Sequence, residues 1–108
     1  MSSEYNVQWT DAAKADLYSI IEYIDSDYPE RAANVLEKIQ LAGGKLEKNP
    51  NRGRYVPELR ELDVYIYREL IIKPWRLIYR YDKQNVYILS VLDGRRNLES
   101  LLIERLVR

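Results

Sequence analysis

The sequence predicts a small α+β domain: an N-terminal strand and a helical hairpin packed on a small antiparallel sheet, in the order β-α-α-β-β-β, with a C-terminal helix. Three observations carry this. Apolar residues recur at helical spacing between residues 10 and 49, then alternate with polar ones between residues 64 and 92. Pro29, Pro50, Pro74 and Gly94 sit at the ends of those segments, where chain breakers belong. The chain has 108 residues, the length of one domain. A chain of that size buries roughly 65% of its unfolded surface, enough for one core.

Tyr5-Asn-Val-Gln-Trp9 alternates polar and apolar residues and reads as a short first strand. Thr10 offers a helix N-cap, and Asp11 places an anion where the helix dipole favours one. Ala13, Leu17, Ile20, Ile21, Ile24 and Tyr28 then share one helical face, and that helix is expected to end near Ser26. Pro29 suits the first turn of a second helix, with Asp27 as its expected cap. Ala32, Val35, Leu36, Ile39 and Leu46 form its apolar stripe; Gly43-Gly44 interrupts the stripe and Pro50 ends the region. Gly44-Lys45 lacks the GxxxxGK[ST] spacing of a phosphate loop, so helix packing or a kink is the reading of the glycines.

After the turn cluster Asn49-Pro-Asn-Arg-Gly53 the period changes. Val64 to Lys73, Trp75 to Asp82 and Val86 to Leu92 read as three strands, joined at Pro74 and at Asp82-Lys-Gln-Asn85 into an antiparallel meander. Asn97 is the expected cap of a last helix that carries Leu98, Leu101, Leu102 and Leu106 on one side. A helix of about twelve residues is marginal alone and must dock on something.

Composition removes whole classes of chemistry. Without His the commonest general base and transition-metal ligand are missing, and without Cys there is no thiolate nucleophile or cysteine-ligated metal. A Ser-His-Asp hydrolase is excluded, and neither cofactor nor metal is expected. The apolar tracts fall far short of the ~20 residues that span a bilayer, so no membrane partner is expected. Residues 1–48 carry a net charge of −4 and residues 49–108 a net of +4; ten of the eleven arginines lie at or beyond Arg52. Arginine is suited to forked recognition of phosphate or carboxylate, so the C-terminal half is the candidate contact surface. Zero net charge argues against indiscriminate nucleic-acid binding.

Five segments, in order, resemble one known family: Trp9-Thr-Asp-Ala-Ala-Lys-Ala-Asp-Leu17, Arg52-Gly-Arg-Tyr-Val-Pro-Glu58, Tyr67-Arg-Glu-Leu70, Trp75-Arg-Leu-Ile-Tyr-Arg-Tyr81 and Val91-Leu-Asp-Gly-Arg-Arg96. Together they are similar to the RelE/ParE superfamily of type II toxins, the plasmid-stabilisation proteins, over nearly the whole chain. The resemblance implies a cytoplasmic toxin neutralised by a co-transcribed antitoxin, on a helical hairpin and small sheet with a mobile C-terminal segment. It leaves the target open. RelE-like members cut mRNA on the ribosome, whereas ParE-like members poison DNA gyrase without a catalytic site.

The resemblance also assigns candidate residues. If the chain is a nuclease, Arg76 matches the family's strand arginine, Arg95 or Arg96 the arginine after the last strand, and Arg68 stands where a first lysine is usual. The departures lean the other way. Leu70 replaces the second lysine, no tyrosine follows Tyr87, and Asp93 stands where many members carry His. Arginine is a poor general base, its pKa lying above ~12. Tyr79, Tyr81 and Glu69 are the remaining proton carriers, with ring packing and ion pairing as their competing roles. Gyrase inhibition through Arg76, Arg80, Arg95 and Arg96 is therefore the leading reading, mRNA cleavage the runner-up, and a non-toxic antitoxin-binding module the third. Alternation places Arg76 and Arg80 on one face. Leu98, Leu101, Leu102 and Leu106 are the expected antitoxin-binding surface, and a homodimer is left open.

Overall fold

A computed structural model describes residues 4–95 and 98–106, except the side chains of Leu98, Leu101, Leu102 and Leu106. It contains the expected α+β fold with a C-terminal helix. Strand β1 is Asn6–Trp9, followed by helices α1 (Asp11–Asp25) and α2 (Pro29–Gly44). A two-residue strand β2 (Arg54–Tyr55) and a one-turn helix α3 (Pro57–Arg60) come next; neither is announced by the sequence pattern. Strands β3 (Arg68–Ile72), β4 (Trp75–Tyr81) and β5 (Asn85–Asp93) form the meander, and α4 (Leu98–Leu106) follows. The Asn97 cap expected for α4 lies outside the described residues.

The local signals behave as their chemistry dictates. The Thr10 hydroxyl accepts the Ala13 N–H at 3.2 Å and caps α1. Asp82 Oδ1 accepts the N–H groups of Gln84 and Asn85 in the β4–β5 loop. One expectation is corrected at the start of α2. The N-cap is Tyr28, which makes no capping hydrogen bond, and Asp27 lies one residue too early to reach the free N–H groups. Tyr28 also stands outside the apolar stripe, 61% exposed. Residues 64–67 are not strand, because the chain there folds over α3 and enters β3 only at Arg68.

The sheet has five strands in the order β1-β5-β4-β3-β2, and it is mixed. The meander is antiparallel as expected, but β1 pairs parallel with β5, from Asn6 opposite Asn85 to Trp9 opposite Ile88. Four residues of alternating pattern contain no information about partner or direction; the α1–α2 excursion returns the chain so that first and last strands meet.

Helices α1 and α2 cover one sheet face. Ala13, Val35 and Ile39 pack there on Leu77, Tyr79, Val86, Ile88 and Val91. Gly43 permits the close approach of α2, since a Cβ there would lie 2.9 Å from the Trp9 ring and 3.1 Å from Ile88. Ile78 pairs with Ser90 while Tyr79 pairs with Ile88, so Leu89 is an extra residue in β5. That bulge is why Ile88 and Val91, three apart, both enter this core. The other sheet face holds a smaller cluster, Val56, Leu59 and Ile78, with Val64, Tyr67 and Leu92 around it. Helix α4 lies beside α3.

Candidate functional site

Along β4 the odd-numbered residues face the helical hairpin, and the even-numbered ones, Arg76, Ile78 and Arg80, face the α3 side. Cross-strand pairing sets which neighbours they meet. Glu69 lies opposite Ile78 in β3, and Arg54 lies opposite Glu69 in β2, so Arg54, Glu69 and Arg76 share this side. Helix α3 contributes Glu58 from its first turn.

These four side chains form one closed network. Arg76 donates from Nε to Glu69 Oε1 at 2.6 Å. Its Nη1 and Nη2 reach the two oxygens of Glu58 at 2.7 Å each, the forked geometry that a guanidinium and a carboxylate share. The second Glu69 oxygen accepts from Arg54 Nε at 2.7 Å. Arg76 is 8% exposed and Glu69 1%. Two positive and two negative charges thus cancel at the underside of the sheet. The Arg76 hydrogen bond pulls the Glu58 carboxyl below its ordinary range, against the opposing effect of burial. Glu58 and Glu69 raise the Arg76 pKa in turn.

The other arginines are dispersed. Arg68, opposite Tyr79, faces the hairpin side, away from Arg76; it donates to the Gly53 carbonyl at 2.7 Å and lies over the Tyr55 ring at 4.3 Å. Arg80 shares the Arg76 face and stacks over Tyr87 at 4.5 Å. Arg95 is exposed and turned back on Asp93, with contacts of 3.0 and 2.8 Å. Arg96 lies outside the described residues, as do the side chains of Leu98, Leu101, Leu102 and Leu106. Alternation foretold the shared face of Arg76 and Arg80. It was silent on Arg68 lying opposite, since facing depends on cross-strand register. Glu58, the strongest partner of Arg76, lacked any signal beyond the sequence pattern of its segment.

Tyr79 is engaged by the backbone on both sides of its hydroxyl and is not free to carry a proton. The Tyr79 hydroxyl donates to the Pro50 carbonyl at 2.6 Å and accepts the Gly53 N–H at 2.9 Å, and burial raises its pKa. Gly53 is needed for this, because a Cβ would come within 2.5 Å of that hydroxyl oxygen. A phosphate approaching Arg76 would have to displace two carboxylates, one of them fully buried. The network is therefore a fastening that holds α3 and β2 to the sheet, and it leaves Arg76 no free charge to present to an anion.

At the free edge of β5 lies one further polar cluster. Strand β1 ends at Trp9, so the Val91 N–H beyond it has no strand partner and is accepted by Asp16 Oδ2 at 3.0 Å. Arg105 of α4 donates to the same oxygen at 2.9 Å and to Ser90 Oγ at 3.1 Å. This ties the last helix to α1 and β5. No group of residues able to hold a metal ion occurs among the described residues, and none of their helices is long and apolar enough to cross a membrane.

A family model and a sequence relative agree on one family. The family model of the ParE toxin of the type II toxin–antitoxin system, parDE, matches residues 7–98. Toxin ParE3 of Caulobacter vibrioides is 35% identical over 71 residues, which span 66% of this chain and 67% of that protein. Among solved structures, a chain of the chromosomal ParDE toxin–antitoxin system from P. aeruginosa superposes with a TM-score of 0.70. It covers 85% of this chain and 98% of its own length at 24% identity, a likeness of fold. A chain of the toxin–antitoxin complex RelBE2 from Mycobacterium tuberculosis gives a TM-score of 0.57 at 28% identity, with 86% and 94% coverage.

Proposed function

The chain belongs to the ParE toxin family of type II toxin–antitoxin systems, and from that premise we propose that it acts by binding and inhibiting DNA gyrase, under the control of a cognate antitoxin in the cytoplasm. The observation that supports a binding inhibitor over a nuclease is the engagement of Arg76. Cleavage of RNA without His or metal needs a free cation to offset charge on the phosphate and a group to move a proton. Arg76 is consumed by Glu58 and Glu69, Arg68 faces the opposite side, and Tyr79 is fastened between Pro50 and Gly53. Binding requires neither. Arg80, Arg95 and Arg96 are the proposed target contacts, and the leucines at 98, 101, 102 and 106 the proposed antitoxin contacts.

Induced expression in cells tests the reading. Gyrase inhibition predicts an SOS response with trapped double-strand breaks, together with loss of supercoiling activity when purified gyrase is mixed with the purified chain. Rapid mRNA loss with cuts phased to the ribosome would overturn it in favour of cleavage involving Arg76, Arg95, Arg96 and Arg68. Unimpaired growth would overturn it in favour of a non-toxic antitoxin-binding module.

A further inference from the structure

Beyond Trp9 the outer edge of β5 loses its strand partner, and its backbone groups must be satisfied another way. Thr10 takes the Ile88 carbonyl, donating from its N–H at 3.0 Å and from its hydroxyl at 2.9 Å. The bulge at Leu89 then turns the Val91 N–H outward, and Asp16 Oδ2 accepts it at 3.0 Å. Asp16 follows Ala13 by three residues and precedes Ile20 by four, so it lies on the α1 face turned to the sheet. Its side chain is only 15% exposed, a setting in which a carboxylate needs an answer. Arg105 of α4 supplies it. One terminal nitrogen, Nη1, donates to the same Oδ2 at 2.9 Å and to the hydroxyl of the fully buried Ser90 at 3.1 Å. A single carboxylate oxygen is thus shared by a strand amide and by the last helix.

We infer that Asp16 is a latch that makes the seating of α4 and the closure of the β5 edge one event. With α4 seated, the Asp16 charge is neutralised and the Val91 N–H is covered. When Arg105 leaves, the carboxylate keeps its charge in a mostly dry place with one neutral donor, and Ser90 loses the guanidinium. Both losses favour rotation of Asp16 toward water, which uncovers Val91. An uncovered strand amide is open to solvent or to pairing with another chain. Linkage makes the coupling reciprocal: whatever lifts α4 opens the edge, and a strand that takes the edge displaces Asp16 and loosens α4. Asp16, Val91 and Arg105 also line the cleft of about 750 Å3 beside α1, so the same event moves its wall. Arg105 is 35% exposed, which leaves the tie weaker than the buried Arg76 network and suited to reversible release.

The latch stands apart from the gyrase reading, because it uses none of the residues assigned to the target. Amide hydrogen exchange on the full chain tests it, with the β4 amides of Leu77 and Tyr79 as the internal reference. Arg105→Gln is expected to speed exchange of the Val91 amide and of the α4 amides by about tenfold each, leaving β4 unchanged. Asp16→Asn removes the same charge from the other side and is expected to do the same to α4. The double variant is expected to add nothing further, as for two members of one interaction. Raising sodium chloride from about 0.05 to about 1 M should speed Val91 and α4 together in the unmodified chain and leave Arg105→Gln insensitive. Faster α4 exchange with Val91 still protected, unchanged α4 exchange, or additive effects of the two substitutions would overturn the latch. Should a substitution also speed the β4 amides, the salt response of the unmodified chain decides: joint acceleration of Val91 and α4 supports the latch, and any other response overturns it.

Discussion

Glu58 and Glu69 beneath the sheet and Asp25 and Asp27 at the end of α1 are the same chemistry in opposite settings. The first pair is drawn into the protein and answered by Arg54 and Arg76 at hydrogen-bonding distance. The second pair stays in water, next to a helix end of like sign, with no ion pair. Burial makes an unanswered carboxylate very costly, so charge inside the fold must be matched to atomic precision. Solvent tolerates an unmatched charge at little cost, so an exposed acid can stay unanswered. The arginine that looks most functional in sequence, Arg76, is for that reason the most structural in space.

The largest expected effect is at the buried side. Arg76→Ala leaves Glu69 buried with Arg54 alone, and is expected to destabilise the fold by about 3–5 kcal/mol, as removal of one member of a buried pair does. Denaturant unfolding measures it. A loss below about 1 kcal/mol would show that the network is as loose as a surface pair and would erase the contrast.

A smaller effect follows from pH. The Glu58 carboxyl has a lower pKa in the folded protein than in the unfolded chain, where it is about 4.3. Its contribution is therefore fully present above that unfolded value, and it is lost as pH falls through the lower folded value. The Glu58→Gln variant should lose stability near pH 7 and show a flatter decline than the parent below about pH 4.5. Parallel acid limbs for the two proteins would mean that Arg76 does not hold Glu58 ionised.

The smallest effect has the opposite sign. Asp25→Lys places a cation at the end of α1 and is expected to stabilise the chain by about 0.3–1 kcal/mol, readable as a rise in thermal midpoint. A fall would mean that the acid there supports the fold after all. The two regions would then differ in degree only.

Much of the fold was legible in the sequence because it rests on local causes. The Thr10 cap, the helical spacing of Ala13 to Ile24, and the alternation through β4 each depend on residues within a turn or two. The same causes put Arg76 and Arg80 on one face. The candidate site was less legible. Its arginines were visible as a composition, and the resemblance singled out Arg76, but their partners come from distant segments. Glu58 is 18 residues from Arg76, and Arg54 is 15 from Glu69.

The sequence by itself determined the element order and the hydrophobic faces, because periodicity and caps act over distances shorter than one element, and the resemblance of five of its segments pointed to the family. Only the tertiary structure decided that β1 runs parallel to β5, that Arg68 faces away from Arg76, and that Arg76 is enclosed by Glu58 and Glu69. Strand direction, register and charge pairing are chosen by which segments meet when the whole core closes, and no single segment carries that information.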